Sequence, residues 1–244
     1  MPTPGPVSFM SMIDEGRGFD AALYRLLAWF SPMFPIGAFS YSHGLEAAAE
    51  RGKAHDRGSL QRWITAVLAH GAGRIDAHIL RDAHRAALAA DIEVLDAANR
   101  RGLAYRATTE MTLESTAQGA AFLAACRAAW PDPRLAAWAD TFDDGPVCCA
   151  AAVGGATAWA GIALGCALTA YLQAMTANLV SAGLRLGLVG QTDGQRILAA
   201  LEPIVDVAVA SALTQDSGAF GGAAFAVDLA SMAHEIQYTR LFRT

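Results

Sequence analysis

Ser31-Pro-Met-Phe-Pro-Ile-Gly-Ala-Phe-Ser-Tyr-Ser-His-Gly-Leu-Glu46 ends one helix and starts the next. Pro32 and Pro35 lack the amide donor that a helix needs, and each pushes the residue before it toward extended geometry. Gly37 admits backbone angles closed to other residues. Ser40 or Ser42 is placed to cap a new helix that turns Leu45, Ala48 and Ala49 inward. Upstream, Leu23, Leu26, Leu27 and Phe30 recur at helical spacing. An elbow carrying Met33, Phe34, Ile36, Phe39 and Tyr41 is either buried between helices or a docking surface, and the residues alone leave both open.

Outward from this elbow the helical period persists. Residues 1–18, with three prolines and three glycines, read as a flexible arm. Ser59 is placed as the cap of a helix carrying Trp63, Ile64, Val67 and Leu68. Gly71 and Gly73 interrupt before the period resumes over 75–90. Two more helices span 91–103 and 108–130, the second stopped by Pro131 and Pro133. A short segment at 134–139, an acidic turn at Asp143-Asp144 and two apolar helices follow. Gly190 to Gly194 reads as a turn, with Asp193 capping a helix that runs to Ala212 across Pro203. After a glycine-rich break, Phe225, Leu229, Met232 and Ile236 space a last helix reaching about Tyr238. No stretch alternates with period two. The expectation is an all-α, single-domain bundle of roughly eight to ten helices over 19–220, with 221–244 as a C-terminal helix and tail.

Composition narrows the function. Of 244 residues 54% are hydrophobic and 17% charged, against about 25% charged in an average domain, so burial against a partner is expected. A net charge of −5 without a long basic run does not suit nucleic acid. Lys53 is the only lysine, which removes phosphate-loop and Schiff-base chemistry. The four cysteines lack CxxC spacing and read as small buried hydrophobes in a reducing compartment. Gly145 to Leu184 carries no charged residue or histidine, yet its Ala, Gly and Thr content fits a buried helix pair better than a membrane span. Within it, Gly161 and Gly165 suit close helix contact, so self-association through Val147–Leu184 is expected.

Side-chain constellations give no catalytic centre. His70, His78 and His84 with Asp76 and Asp82 are the best metal-ligand candidates, but only His78 and Asp82 share a helix face, and a solvated polar face is expected. His234-Glu235 has Tyr238 where a zinc-protease motif needs a second histidine. Glu46 lies one turn after His43, within reach of a polar contact. No catalytic residue, metal ligand or cofactor is assigned.

Three strings in order carry a family resemblance: 31–46, Leu188-Val-Gly-Gln-Thr-Asp-Gly-Gln-Arg-Ile-Leu198, and the terminal stretch 228–244. Together they resemble the UreF family of urease accessory proteins, strongly over 26–90 and 165–244 and thinly over 91–150. The resemblance implies a cytoplasmic, non-enzymatic helical homodimer that binds the accessory protein UreD/UreH. With it, such a protein recruits the nickel-carrying GTPase UreG to apo-urease for nickel insertion. Membrane and nucleic acid play no part. The partner-binding residues it points to are Phe39, Ser40, Tyr41, His43 and Glu46; Gln191, Asp193 and Gln195; and His234, Glu235, Tyr238, Arg240, Leu241, Phe242 and Arg243, the last residues forming a mobile tail ordered by its partner. Ala233, where the family commonly has Arg, and Cys148-Cys149 depart from its pattern. A helical enzyme and a membrane-embedded protein are the alternatives.

Overall fold

A computed structural model describes residues 20–142, 145–216, 218 and 221–244, so the arm at 1–18 and the Asp143-Asp144 turn lie outside the described residues. Among the described residues the chain forms eleven α-helices and no strand: α1 Ala21–Trp29, α2 Leu45–Glu50, α3 Arg57–His70, α4 Ala72–Leu88, α5 Ile92–Ala104, α6 Thr109–Ala129, α7 Pro133–Asp140, α8 Cys149–Trp159, α9 Leu164–Arg185, α10 Gln191–Thr214 and α11 Phe225–His234. The all-α single-domain reading holds.

Side-chain oxygens set most of the early starts. Asp20, Asp91, Thr108 and Asp132 each accept a backbone N–H of the first turn they precede. At α3 the cap is Asp56 rather than Ser59, which instead closes a reciprocal capping box from the third helical position. α10 begins at Gln191, so the string expected to be a turn is the first turn of a helix, and Asp193 sits inside it without capping. α11 stops at His234, four residues short of Tyr238.

α8 is the centre of the bundle. Every residue of it is buried, as a helix without a polar face must be, and its most extensive contact is with α4. Small side chains permit the approach, because a Cβ on Gly154 would stand 2.5 Å from the Leu80 carbonyl oxygen. The α8 half of Val147–Leu184 is therefore enclosed by its own chain and not free for the expected self-association, which leaves only the α9 half. Gly161 is a turn residue at φ 73°, and a Cβ on it or on Gly165 would meet nothing within 4 Å. Cys126, Cys148 and Cys149 are buried free thiols as expected, whereas Cys166 is exposed.

α4 overturns the reading of its polar residues as a solvated face. Asp76, His78, Arg81, Asp82 and His84 are all buried; only His70, on α3, is exposed. The charges of Asp76, Arg81 and Asp82 are matched, within α4 and by residues distant in sequence, which is the condition for burying them. Asp76 pairs with Arg106 and accepts the Tyr171 hydroxyl at 2.8 Å. Arg81 and Arg101 flank Asp82 at 2.7 and 2.6 Å, and Arg81 also donates to the Ala212 and Gln215 carbonyls at the end of α10. Among the described residues no three His, Cys, Asp or Glu are placed to hold a metal ion.

Burial holds the His84 ring below the usual histidine range, opposed by its hydrogen bond to the Ile162 carbonyl. The folded state thus prefers the neutral ring, and its contribution is present above about pH 6.5, the unfolded value, and lost as pH falls below it. His84→Gln keeps a donor for Ile162 and removes the titration. The fall in urea-unfolding midpoint between about pH 7 and 5.5 is therefore expected to be shallower in the variant than in the parent; equal slopes contradict this account of His84.

α10 is the one helix among the described residues long and apolar enough to cross a membrane. Its inward residues Ile197, Leu201, Val205, Val209 and Ala212 are buried, and the helix packs on α9, α3 and α4.

Candidate functional site

The elbow at 31–46 splits its apolar residues between two environments. Phe34 and Tyr41 are buried, while Met33 is 91% and Phe39 68% exposed. Gly37 takes the left-handed conformation that the break requires, at φ 71°. Gly44, at φ 75°, precedes α2 where a serine cap was expected; Ser42 still reaches in, accepting the Glu46 N–H at 3.3 Å. A Cβ on Gly44 would stand 2.9 Å from the Ser231 backbone nitrogen, so α11 lies directly against this turn.

That contact delivers His234 between two carboxylates. Its Nδ1 lies 2.9 Å from both oxygens of Glu110 on α6, and its Nε2 3.1 Å from Glu46 Oε2. Both ring nitrogens thus face carboxylate oxygens. Arg240 donates to Glu110 Oε1 at 3.1 Å, so Glu110 is shared between His234 and Arg240. His234 is fully buried and is not the surface residue that the resemblance suggested. The polar contact expected between His43 and Glu46 does not form, because His43 Nδ1 donates instead to Glu114 Oε2 at 3.1 Å.

Glu46 also holds the C-terminal segment by its main chain, accepting the N–H of Leu241 at 2.7 Å and of Phe242 at 2.9 Å. Ser42 donates its N–H and hydroxyl to the Thr244 carbonyl at 2.7 and 2.6 Å, and Arg243 N–H donates to the Ser40 carbonyl at 2.8 Å. The Phe242 ring is buried under the Arg185 guanidinium, 4.3 Å from the ring centroid. Arg185 in turn donates to the Phe39 carbonyl. The tail is thus strapped across the elbow rather than extended from the body.

Outside this strap lies an apolar row. Phe225, Leu229, Met232 and Ile236 are 73, 64, 48 and 85% exposed, while the opposite face of α11, with Val227, Ala230, Ser231 and His234, is buried. Tyr238 and Leu241 extend the row, and Glu235, Arg240 and Arg243 border it. The residues singled out from both ends of the sequence therefore come together, with Phe39 to Glu46 beneath and His234 to Arg243 above. Gln191, Asp193 and Gln195 do not join them. They lie on the first turn of α10, where Asp193 pairs with Arg196 at 3.0 Å and Arg57 at 3.6 Å. Sequence reading missed Glu110 and Glu114. Their i, i+4 spacing on one face of α6 was the available signal.

The geometry binds and positions, and it holds no nucleophile–base pair within this cluster. Comparison with known proteins agrees. The UreF family model matches residues 54–202. A urease accessory protein UreF of Rhodopseudomonas palustris (strain BisB18) is 48% identical over 225 residues, covering 92% of each chain. One from Granulibacter bethesdensis is 48% identical over 228 residues, covering 92% of this chain and 95% of its own. Another, from Rhodopseudomonas palustris (strain HaA2), is 45% identical over 242 residues, covering 99% and 98%. These likenesses define the class: an accessory factor of urease maturation, not itself an enzyme. The chain belongs to the UreF family.

Proposed function

We propose that this protein is the adaptor of urease maturation that docks the accessory protein UreD/UreH on the outer face of α11 and its tail. In the same assembly it recruits the GTPase UreG to apo-urease, in the cytoplasm, for nickel insertion. The observation that carries this reading is the exposed row Phe225, Leu229 and Met232 on a helix whose inner face is anchored, continued by Ile236 in the turn after it. An apolar helix face with a charged border is the form a docking helix takes. The strap supplies a fixed base for it, so little ordering is needed on binding. The homodimer implied by the family resemblance has another exposed apolar face available on α1, at Leu23 and Leu27.

UreG is assigned to the polar first turn of α10, which is not part of the strap. Co-purification with UreD/UreH and UreG, followed by urease activation with and without this chain, tests the reading. Activation is expected to need the chain. Asp193→Ala with Gln195→Ala is expected to impair UreG recruitment at a stability cost of about 1 kcal/mol or less, because the ion pairs lost are solvent-exposed. Full activation by that variant contradicts the α10 assignment.

A further inference from the structure

Beside the α11 row lies a cavity of about 190 Å³, where the start of α11 meets α4 and the loop between α5 and α6. Ile75 of α4, Tyr105 and Ala107 of that loop, and Asp228 of α11 line it. Asp228 stands three residues after Phe225 and four before Met232, so it borders the exposed row along the helix.

The carboxylate sets this cavity apart. Asp228 is half-buried, yet among the described residues nothing donates a hydrogen bond to its side chain and no cation pairs with it. Its oxygens are accessible rather than sealed in the core. Burial holds the Asp228 carboxyl above the usual carboxylate range, opposed by the His43 ring, which is hydrogen-bonded to Glu114 instead. Arg106 also lines the cavity but is held by Asp76 and by the Gly102 carbonyl, to which its Nε donates at 3.0 Å. The start of a helix favours a negative charge, but its dipole brings no donor to these oxygens.

A carboxylate drawn part-way out of water without a partner weakens the free fold, and a cation supplied from outside removes that cost. A metal ion would need further ligands, and among the described residues no three His, Cys, Asp or Glu stand together to give them. An organic cation needs only the one carboxylate, and the Tyr105 ring in the wall suits it as well. On size, a cavity of about 150 Å³ takes benzene, so this one takes the end of a lysine or arginine side chain.

We propose that this cavity receives one cationic side chain, an arginine or a lysine, of the protein that docks on the α11 row, its head paired with Asp228. The inference rests on the docking face proposed above and adds its charged anchor. The apolar row supplies area, whereas a charge pair in a recess fixes register.

The test is the affinity of the full chain for purified UreD/UreH by biolayer interferometry, with the thermal midpoint of each variant alongside. Asp228→Asn keeps the shape and removes the charge. It is expected to weaken binding at least about tenfold while its thermal midpoint equals or exceeds the parent's, because the charge removed has no partner in the free chain. Asp228→Lys sets a cation against a cation and is expected to weaken binding at least about 100-fold. Ala107→Leu adds bulk to the wall, keeps the charge and is also expected to weaken binding. Parental affinity in Asp228→Asn, or tighter binding by Asp228→Lys, overturns the proposal. If Leu229→Arg with Ile236→Arg still loses binding in that case, the docking face stands and only the anchor falls. If that variant also binds as the parent does, the face itself is refuted and the anchor with it.

Discussion

Glu46→Ala is expected to destabilise the protein by about 3–5 kcal/mol and to free the segment from Arg240 to Thr244. The Glu46 carboxylate contacts His234 and accepts from two consecutive backbone N–H groups, Leu241 and Phe242, the Leu241 contact part-buried and the others buried. Its loss leaves His234 Nε2 and two main-chain donors without their partner, and each orphaned group costs about 1–3 kcal/mol. Part is recovered where the freed tail reaches water, which sets the upper bound. Glu46→Gln keeps the volume and one acceptor oxygen but brings a donor toward donors, and is expected to lose somewhat less. Urea denaturation gives the stability, and amide exchange at Leu241 and Phe242 gives the release. A variant of parental stability with those amides still protected contradicts the role given to this carboxylate.

The second large effect is on binding. Leu229→Arg combined with Ile236→Arg is expected to weaken association with UreD/UreH by at least about 100-fold, since buried apolar anchors at an interface centre contribute about 2 kcal/mol or more each. Both side chains are exposed in the isolated chain, at 64 and 85%, so the thermal midpoint is expected to move little. Biolayer interferometry on the folded variant separates the two quantities. Undiminished affinity places the partner elsewhere.

Much of the fold was legible because it is local. The helix starts near residues 91 and 108, the prolines after α6 and the run Trp63, Ile64, Val67, Leu68 on α3 are set within a few residues of one another, and the structure keeps them, although the capping oxygens themselves, Asp91 and Thr108, were not read. The charge-free stretch announced α8 as a buried helix for a similar reason. What misled was charge without visible partners. Asp76 reads as solvent-facing until Arg106 and Tyr171 arrive from 30 and 95 residues away. His234 reads as surface until Glu110 and Glu46 close on it from 124 and 188 residues away. A histidine between two carboxylates is a tertiary fact that helical spacing cannot announce.

The two glycine-rich signals also needed the third dimension. Gly190-Gln-Thr-Asp-Gly194 looks like a turn, yet Gly194 is buried within α10, where its missing side chain admits Val180 of α9. Gly161 and Gly165 look like a seam between helices of one chain, and within this chain they face open space. In the tail, apolar spacing located the helix correctly, but not which face pointed out. Phe225, Leu229, Met232 and Ile236 formed the more hydrophobic stripe, and the structure nevertheless turns Val227, Ala230 and His234 inward. The reason lies at Gly44, against which only small residues such as Ser231 can settle.

The central claim is that UreD/UreH docks on the outer row of α11 above a tail already strapped to Glu46. Hydrogen exchange on this protein, alone and in complex with UreD/UreH, tests it most directly. The account predicts that the amides of Leu241 and Phe242 are protected in the free protein and that protection across 225–238 rises on binding. Unprotected tail amides in the free protein, or protection gained on another face while 225–238 stays unchanged, would contradict it.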